Sequence, residues 1–244
     1  MVNKNINMLM KHVSHGVPVD LDKCEIKVYS QFGEDGVILE IIGRIFKKDY
    51  KDKVFFEFGV EDGEECNCHF LASILGWSGT FIESDKKYFE ILNNKYKLNN
   101  KISTLNKMVT TENVQGLIDK YSPNINLLSI DIDSHDYWVW ESISSTPEVV
   151  VIEYNADIDG NKVLRKDYNH PWDFTNGYGA SINALIKLGN VKGYSLVHTT
   201  SQGVNAFFVR NDYIHLFPES KNPKIIKKNI GNFPEAEEGR FIEV

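Results

Sequence analysis

Two groups of residues in this chain have the types and spacing to do chemistry. The first is Glu57-Phe58-Gly59-Val60-Glu61-Asp62-Gly63, where glycines follow an aromatic, apolar run. Glycines at such a place let the backbone turn sharply and approach a ligand with no β-carbon in the way. The spacing is not G-x-G-x-x-G, and the acids within the turn would repel a pyrophosphate. They suit a ligand with cationic groups, such as the sulfonium and ammonium of S-adenosyl-L-methionine; an ordinary turn is the other reading. Glu83 follows Gly63 at the distance, about 20 residues, at which an acid reaches ribose hydroxyls from the end of a second strand. Its alternative is a helix-capping acid beside Asp85.

The second group is Asp131, Asp133, Glu153 and Asn155. Hard divalent cations prefer oxygen ligands, so this set reads as a Mg²⁺ or Mn²⁺ site. Such an ion would hold two substrate oxygens and lower the pKa of a hydroxyl at neutral pH. Acids that merely cap helices are the structural alternative. His135 stands beside these acids as a candidate general base, with Asp131 as its catalytic companion. A lone histidine more often simply hydrogen-bonds. Cys66-Asn67-Cys68 lacks the second Cys/His pair that zinc requires.

Elements of alternating kind must position these residues. Asn5 to Val13 and Gly33 to Lys48 carry helical spacing, and Lys53 to Phe58 reads as a first buried strand. Thr80 to Glu83 follows as a second strand, with Asp85 as a helix cap. Ile102 to Met108, Asn126 to Ile130 and Glu148 to Ile152 read as strands three to five. Helices lie between them, from Thr111 to Tyr121 and from Trp138 to Ile143. After a helix at Ser181 to Leu188, Tyr194 to His198 and Asn205 to Arg210 are joined by so short a link that they must pair antiparallel. This order predicts an α/β fold, a mostly parallel, doubly wound sheet with helices on both faces and one reversed strand. Ligands bind such sheets beyond the carboxyl ends of the strands, where the acids fall.

The whole chain of 244 residues fits one domain. We divide it into an N-terminal helical cap (1–50), a doubly wound core (51–212) and a C-terminal tail (213–244). The tail either closes the sheet's edge or covers a partner. A net charge of −7 with no basic stripe disfavours nucleic acid. Three cysteines without a framework fit a reducing cytoplasm, and no apolar run approaches the roughly 20 residues of a membrane span. Homo-oligomers are compatible with the sequence.

The sequence resembles the FkbM-like group of methyltransferases, many of which modify sugars of bacterial polysaccharides and antibiotics. The resemblance runs from about Val28 to Arg210. It rests on Tyr29-Ser30-Gln31-Phe32-Gly33-Glu34-Asp35, Phe56-Glu57-Phe58-Gly59, Phe81-Ile82-Glu83, Ser129-Ile130-Asp131-Ile132-Asp133 and Asn205-Ala206-Phe207-Phe208-Val209-Arg210. It implies a Rossmann-like class I methyltransferase fold with strand order 3-2-1-4-5-7-6, the seventh strand antiparallel. It also implies S-adenosyl-L-methionine as cofactor. Gln31 and Glu34 would bear on its amino-acid end, Glu57 and Gly59 would shape its loop, and Glu83 would hold its ribose; Gly63 and Asp131 are further candidate cofactor-binding residues. The strand-four and strand-five acids look like those of metal-dependent O-methyltransferases. The implied acceptor is a sugar hydroxyl, on a nucleotide-linked heptose or hexose for capsular polysaccharide, or else a small phosphorylated or phosphoramidate glycan precursor. For such an acceptor, Tyr154, His170, Trp172 and Tyr178 would form a stacking wall; anchoring of the long loop is an equal reading. A nicotinamide-dependent oxidoreductase shares the fold, but its phosphate turn would fall on Glu61, Asp62, Glu64 and Glu65. A non-catalytic cofactor-binding module is the third reading.

Overall fold

The computed structural model describes residues 6–7, 19–47, 49–168, 170, 172–221, 223–231 and 233–244. The helix expected at Asn5 to Val13 lies, apart from Ile6 and Asn7, outside the described residues.

The first helix, α1, is Glu34–Phe46, and the first strand, β1, is Val54–Phe58. There follow α2 (His69–Ser73), β2 (Ser78–Glu83), α3 (Lys86–Tyr96), β3 (Ile102–Asn106), α4 (Val114–Tyr121) and β4 (Leu127–Ile130). The second half holds α5 (Asp136–Ser142), β5 (Val149–Glu153), β6 (Lys162–Leu164), α6 (Ile182–Lys192), β7 (Tyr194–Thr199), β8 (Asn205–Arg210) and β9 (Phe241–Glu243). Two caps are those expected from the side chains. Asp85 accepts the Lys87 and Tyr88 amides at the start of α3, and Ser181 accepts the Ala184 amide at the start of α6. Each such cap contributes roughly 1 kcal/mol.

Seven strands form one sheet in the order β3-β2-β1-β4-β5-β8-β7. Strands β1 to β5 pair in parallel, and β8 runs antiparallel to both β5 and β7. Because β6 lies outside this sheet, the order is the expected 3-2-1-4-5-7-6 with numbering raised by one after the fifth strand. This is a Rossmann-like, doubly wound sheet with one reversed strand, in the order that the resemblance implied. Its central strands read as continuous apolar runs because both faces are covered. Phe55, Phe81, Leu127 and Val151 pack into one core with α1, α2 and α3; Phe56, Phe58, Leu128 and Ile152 pack into the other with α4, α5 and α6.

The C-terminal segment adds a second, two-stranded sheet. β9 returns from the C-terminal segment to pair antiparallel with β6, as Lys162↔Glu243, Val163↔Ile242 and Leu164↔Phe241. On its way the tail crosses the carboxyl edge of the sheet, where Ile226 accepts the Tyr154 hydroxyl and the Ile230 amide donates to Gln202. A three-residue strand offers little periodicity to read. Among the described residues, no helix is long and apolar enough to cross a membrane.

Candidate functional site

The turn after β1 is built around Gly59, whose φ of 77° suits a residue without a β-carbon. Its amide donates to the Ile82 carbonyl at 3.0 Å, which ties β1 to β2 just above the last strand pair. Glu57 lies beneath the turn and is buried. Its carboxylate accepts the Asn67 amide and the Ser129 hydroxyl on Oε1, at 2.8 and 3.0 Å, and the Cys68 amide on Oε2 at 2.8 Å. Burial pushes its carboxyl up while these donors pull it down. Glu57 thus fastens the turn from within. Gly63 is a packing position, since a β-carbon there would press on the Leu92 side chain of α3.

Glu83, at the tip of β2, is buried and spans two segments. Oε2 accepts the Glu61 amide at 2.8 Å, and Oε1 accepts the Asp85 amide at 2.6 Å. Glu61 itself has a left-handed φ of 49°. Burial raises its carboxyl, with further contributions from Asp62, Glu83 and Asp133. The β1 turn therefore lies between the tips of β2 and β4, and one crevice gathers the acids of all three strands.

Asp131, Asp133 and Glu153 meet at the ends of β4 and β5, with one carboxylate oxygen of each within 4.8 Å of the others. Burial first, then the neighbouring acids, raises Asp131 and Glu153 well above the usual carboxylate range. Asp133 is pushed up to about 6, by burial first and by the Asp136 charge second. Glu153 Oε2 is buried and has no hydrogen-bond partner. Buried polar atoms are almost always paired, so this oxygen is one a ligand would satisfy. Three hard oxygen donors with an open lone pair fit Mg²⁺ or Mn²⁺. Asp136, a residue the sequence reading missed, shapes this loop. It is fully buried and accepts the Ile132 and Ser134 amides at 2.9 and 3.1 Å, while Asp133 between them holds a left-handed φ of 55°.

Asn155, the fourth expected ligand, is engaged in holding a loop. Its amide nitrogen donates to the Asn176 and Tyr178 carbonyls at 2.7 and 2.9 Å, and its oxygen accepts the Asp157 amide at 3.1 Å. Its amide nitrogen is spent on holding the loop between β6 and α6, and its oxygen accepts one amide.

The N-terminal segment closes another side. Gln31 is exposed and Glu34 fully buried. Glu34 accepts the Phe32 amide at 2.8 Å and the Asn205 amide group at 2.9 Å, joining α1 to β8. Asp35 Oδ2 collects the amides of Val28, Tyr29 and Ser30 at 2.7–2.9 Å. Glu34 and Glu57 both raise the Asp131 carboxyl, which places them around the same crevice. A pairing across 171 residues leaves no local signal, so the sequence does not reveal Asn205 as a partner of Glu34.

His135 precedes α5, with its ring against the backbone of Arg165 and Lys166. Burial lowers its pKa, keeping the ring neutral at neutral pH, and its buried Nε2 has no partner. The expected wall of four side chains does not form as such. Tyr154 is a fully buried core residue whose hydroxyl donates to Ile226. Tyr178 is also buried, its ring in edge contact with Trp172 at 5.6 Å and Phe233 at 6.0 Å. Trp172 is half-buried, with its indole nitrogen donating to Thr175. His170 is exposed beside Tyr168, 5.4 Å between rings. The flanking Asn169 and Pro171 lie outside the described residues.

No protein-family profile matches the chain. No curated protein matches it either. Solved structures that resemble it include the N-terminal domain of EvdMO1 with SAH bound, at 12% identity and a TM-score of 0.44, covering 86% of this chain and 96% of that one. A fibrillarin/Nop5p complex is similar at 13% identity and a TM-score of 0.45, covering 69% and 80% of the two chains. Aeropyrum pernix fibrillarin with natively bound S-adenosyl-L-methionine is similar at 10% identity and a TM-score of 0.43, covering 65% and 66%. Likenesses this distant say nothing about the acceptor or the chemistry of this chain.

Proposed function

We propose that this protein is an S-adenosylmethionine-dependent O-methyltransferase that acts on a sugar hydroxyl with the help of a divalent cation. The observation that carries the reading is the meeting of Glu83, Glu61 and the Asp131-Asp133-Glu153 trio around the Gly59 turn, at the carboxyl edge of the sheet. A crevice of one sign suits a sulfonium donor and opposes a dinucleotide pyrophosphate. That same sign argues against the oxidoreductase reading.

Glu83 Oε2 accepts one amide and keeps a lone pair with which to accept a ribose hydroxyl. Glu34 and Asn205 brace the N-terminal side of the crevice, and Gln31, on the exposed segment before α1, would bear on the cofactor's amino-acid end. Asp131, Asp133 and Glu153 would hold Mg²⁺ or Mn²⁺; the ion, when bound, makes a nearby hydroxyl more acidic and fixes its orientation. His135, neutral and unpartnered at Nε2, accepts the hydroxyl proton as the methyl group transfers in line to the oxygen. Holding donor and acceptor at contact distance supplies much of the rate. The resemblance described above is what points to a sugar of a cell-surface glycan.

Labelled methyl donor offered with a panel of free, nucleotide-linked and oligomeric sugars tests the proposal, with and without Mg²⁺ or Mn²⁺. Label on a sugar oxygen supports it. Absence of transfer to every sugar overturns it, and retained cofactor affinity with no transfer identifies a binding module instead.

A further inference from the structure

A cavity of about 660 Å³ lies between the segment after β6 and the segment before β9. That volume is within the roughly 300–1,000 Å³ usual for small-ligand sites. Its lining includes Tyr168 and His170, two arginines, Arg165 and Arg240, and four carboxylates.

The cavity adjoins the crevice. The backbone of Arg165 touches the His135 ring, the Leu164 amide donates to Gly179, and the Gly179 amide donates to Ser134. Trp172, in the same loop as His170, touches Tyr178, and Tyr178 feels the charges of Glu153, Asp131 and Asp133. A ligand with one group at His135 can therefore extend into the cavity.

The lining is poorly suited to a phosphate. Arg165 is bonded through Nε and Nη2 to Asp167, at 2.9 and 2.6 Å. Arg240 is bonded to Asp173 at 2.6 Å and to the Thr175 hydroxyl at 3.3 Å, and its guanidinium lies 5.1 Å from the Tyr168 ring centre. Four carboxylates face two guanidiniums that are already engaged, so a diphosphate would meet net negative charge here and again in the crevice. Hydroxyls fare differently: carboxylates in such pairs keep lone pairs free to accept them, and beside them stands the Tyr168 ring, which has the Arg240 guanidinium over one face and the His170 ring in edge contact.

We infer that this cavity is a second sugar subsite, so that the acceptor is a neutral oligosaccharide, with the methylated unit at His135 and the next unit against Tyr168. The inference rests on the sugar-methyltransferase reading and names its substrate class. It replaces the nucleotide-linked acceptor that the resemblance implied.

The test uses the full chain without methyl donor. An array of neutral oligosaccharides is probed for binding, and UDP-, GDP- and CDP-linked hexoses are titrated by calorimetry. Expected are neutral oligosaccharide ligands whose affinity falls about tenfold in Tyr168→Ala and is kept in Tyr168→Phe, and no heat from any nucleotide sugar. Glu238→Gln, at an exposed wall position, gives a smaller loss of about threefold and serves if Tyr168→Ala does not fold. Nucleotide-sugar binding that weakens in Arg165→Ala overturns the inference, as does oligosaccharide binding indifferent to both Tyr168→Ala and Glu238→Gln. If S-adenosylhomocysteine binds and no saccharide does, this inference falls and the methyltransferase reading stands. If saccharides bind and S-adenosylhomocysteine does not, the methyltransferase reading falls by itself.

Discussion

The Gly59 α-carbon faces the backbone carbonyl of Asp131 so closely that a β-carbon on Gly59 would overlap that oxygen. The turn after β1 and the first acid after β4 are thus one packed unit, and neither can shift without the other. Gly59→Ala must move the Asp131 backbone and also hold alanine at positive φ. We expect a loss of about 2–4 kcal/mol in urea unfolding and a loss of S-adenosylhomocysteine binding by calorimetry. Wild-type stability in this variant would contradict the packing.

Glu83 separates cofactor binding from loop support. Glu83→Ala leaves the Glu61 and Asp85 amides without their acceptor and should weaken S-adenosylhomocysteine by tenfold or more, about 1.4 kcal/mol. Glu83→Gln keeps one oxygen for one amide but turns a donor toward the other. Calorimetry should place it between wild type and Glu83→Ala; equal affinity across all three would remove Glu83 from the site.

Ionising Asp131, Asp133 and Glu153 together is costly in the metal-free protein, because burial and the neighbouring acids raise all three carboxyls. Glu153→Gln replaces one buried ionisable carboxyl with a neutral amide and should raise metal-free stability by about 1–2 kcal/mol. In the wild type, Mn²⁺ at about a hundredfold over its dissociation constant should add about 2.7 kcal/mol, a rise in melting temperature on the order of 5–10 °C that chelator reverses. Glu153→Gln should abolish that rise. A melting temperature indifferent to Mg²⁺ and Mn²⁺ would rule out the ion.

Asn155 should behave oppositely. Asn155→Ala unpairs two carbonyls and one amide around the loop between β6 and α6. The expected cost is about 2–4 kcal/mol, with the melting response to Mn²⁺ retained. Loss of the response with stability unchanged would return Asn155 to the ligand set.

Acid sensitivity should come in part from Glu25. Burial raises its carboxyl, but bonds from His198 and Ser201 outweigh that and leave it below its ordinary value of 4.5. A depressed carboxylate contributes stability that is fully present above the unfolded value and is lost as pH falls through the folded one. Urea midpoints followed downward from pH 6 should therefore drop more steeply in the wild type below about 4.5 than in Glu25→Gln. Parallel curves would show that the pairing adds nothing.

Local chemistry made the sheet legible from residues alone. Apolar runs such as Val54 to Phe58 and Val149 to Ile152 are buried on both faces, the cap at Asp85 forms, and the short link before Asn205 enforces an antiparallel pair. Each signal lies within a few neighbouring residues, because strand burial, capping and tight turns are decided at that range. The gathering of acids at one edge followed from the same logic, since parallel strands all end there.

What the sequence by itself determined is therefore the order of elements and the edge at which the acids collect. The tertiary structure decided which polar groups are spent and which remain open. Glu57 is taken up by amides and a hydroxyl from other segments and the Asn155 amide nitrogen by two carbonyls, while Glu153 keeps an oxygen unpaired. Tyr154 looks like a wall and is core; the tail looks like an end and forms a ribbon with β6. The physical reason is that a hydrogen bond or a buried face depends on what lies across space, and those partners stand tens of residues away along the chain.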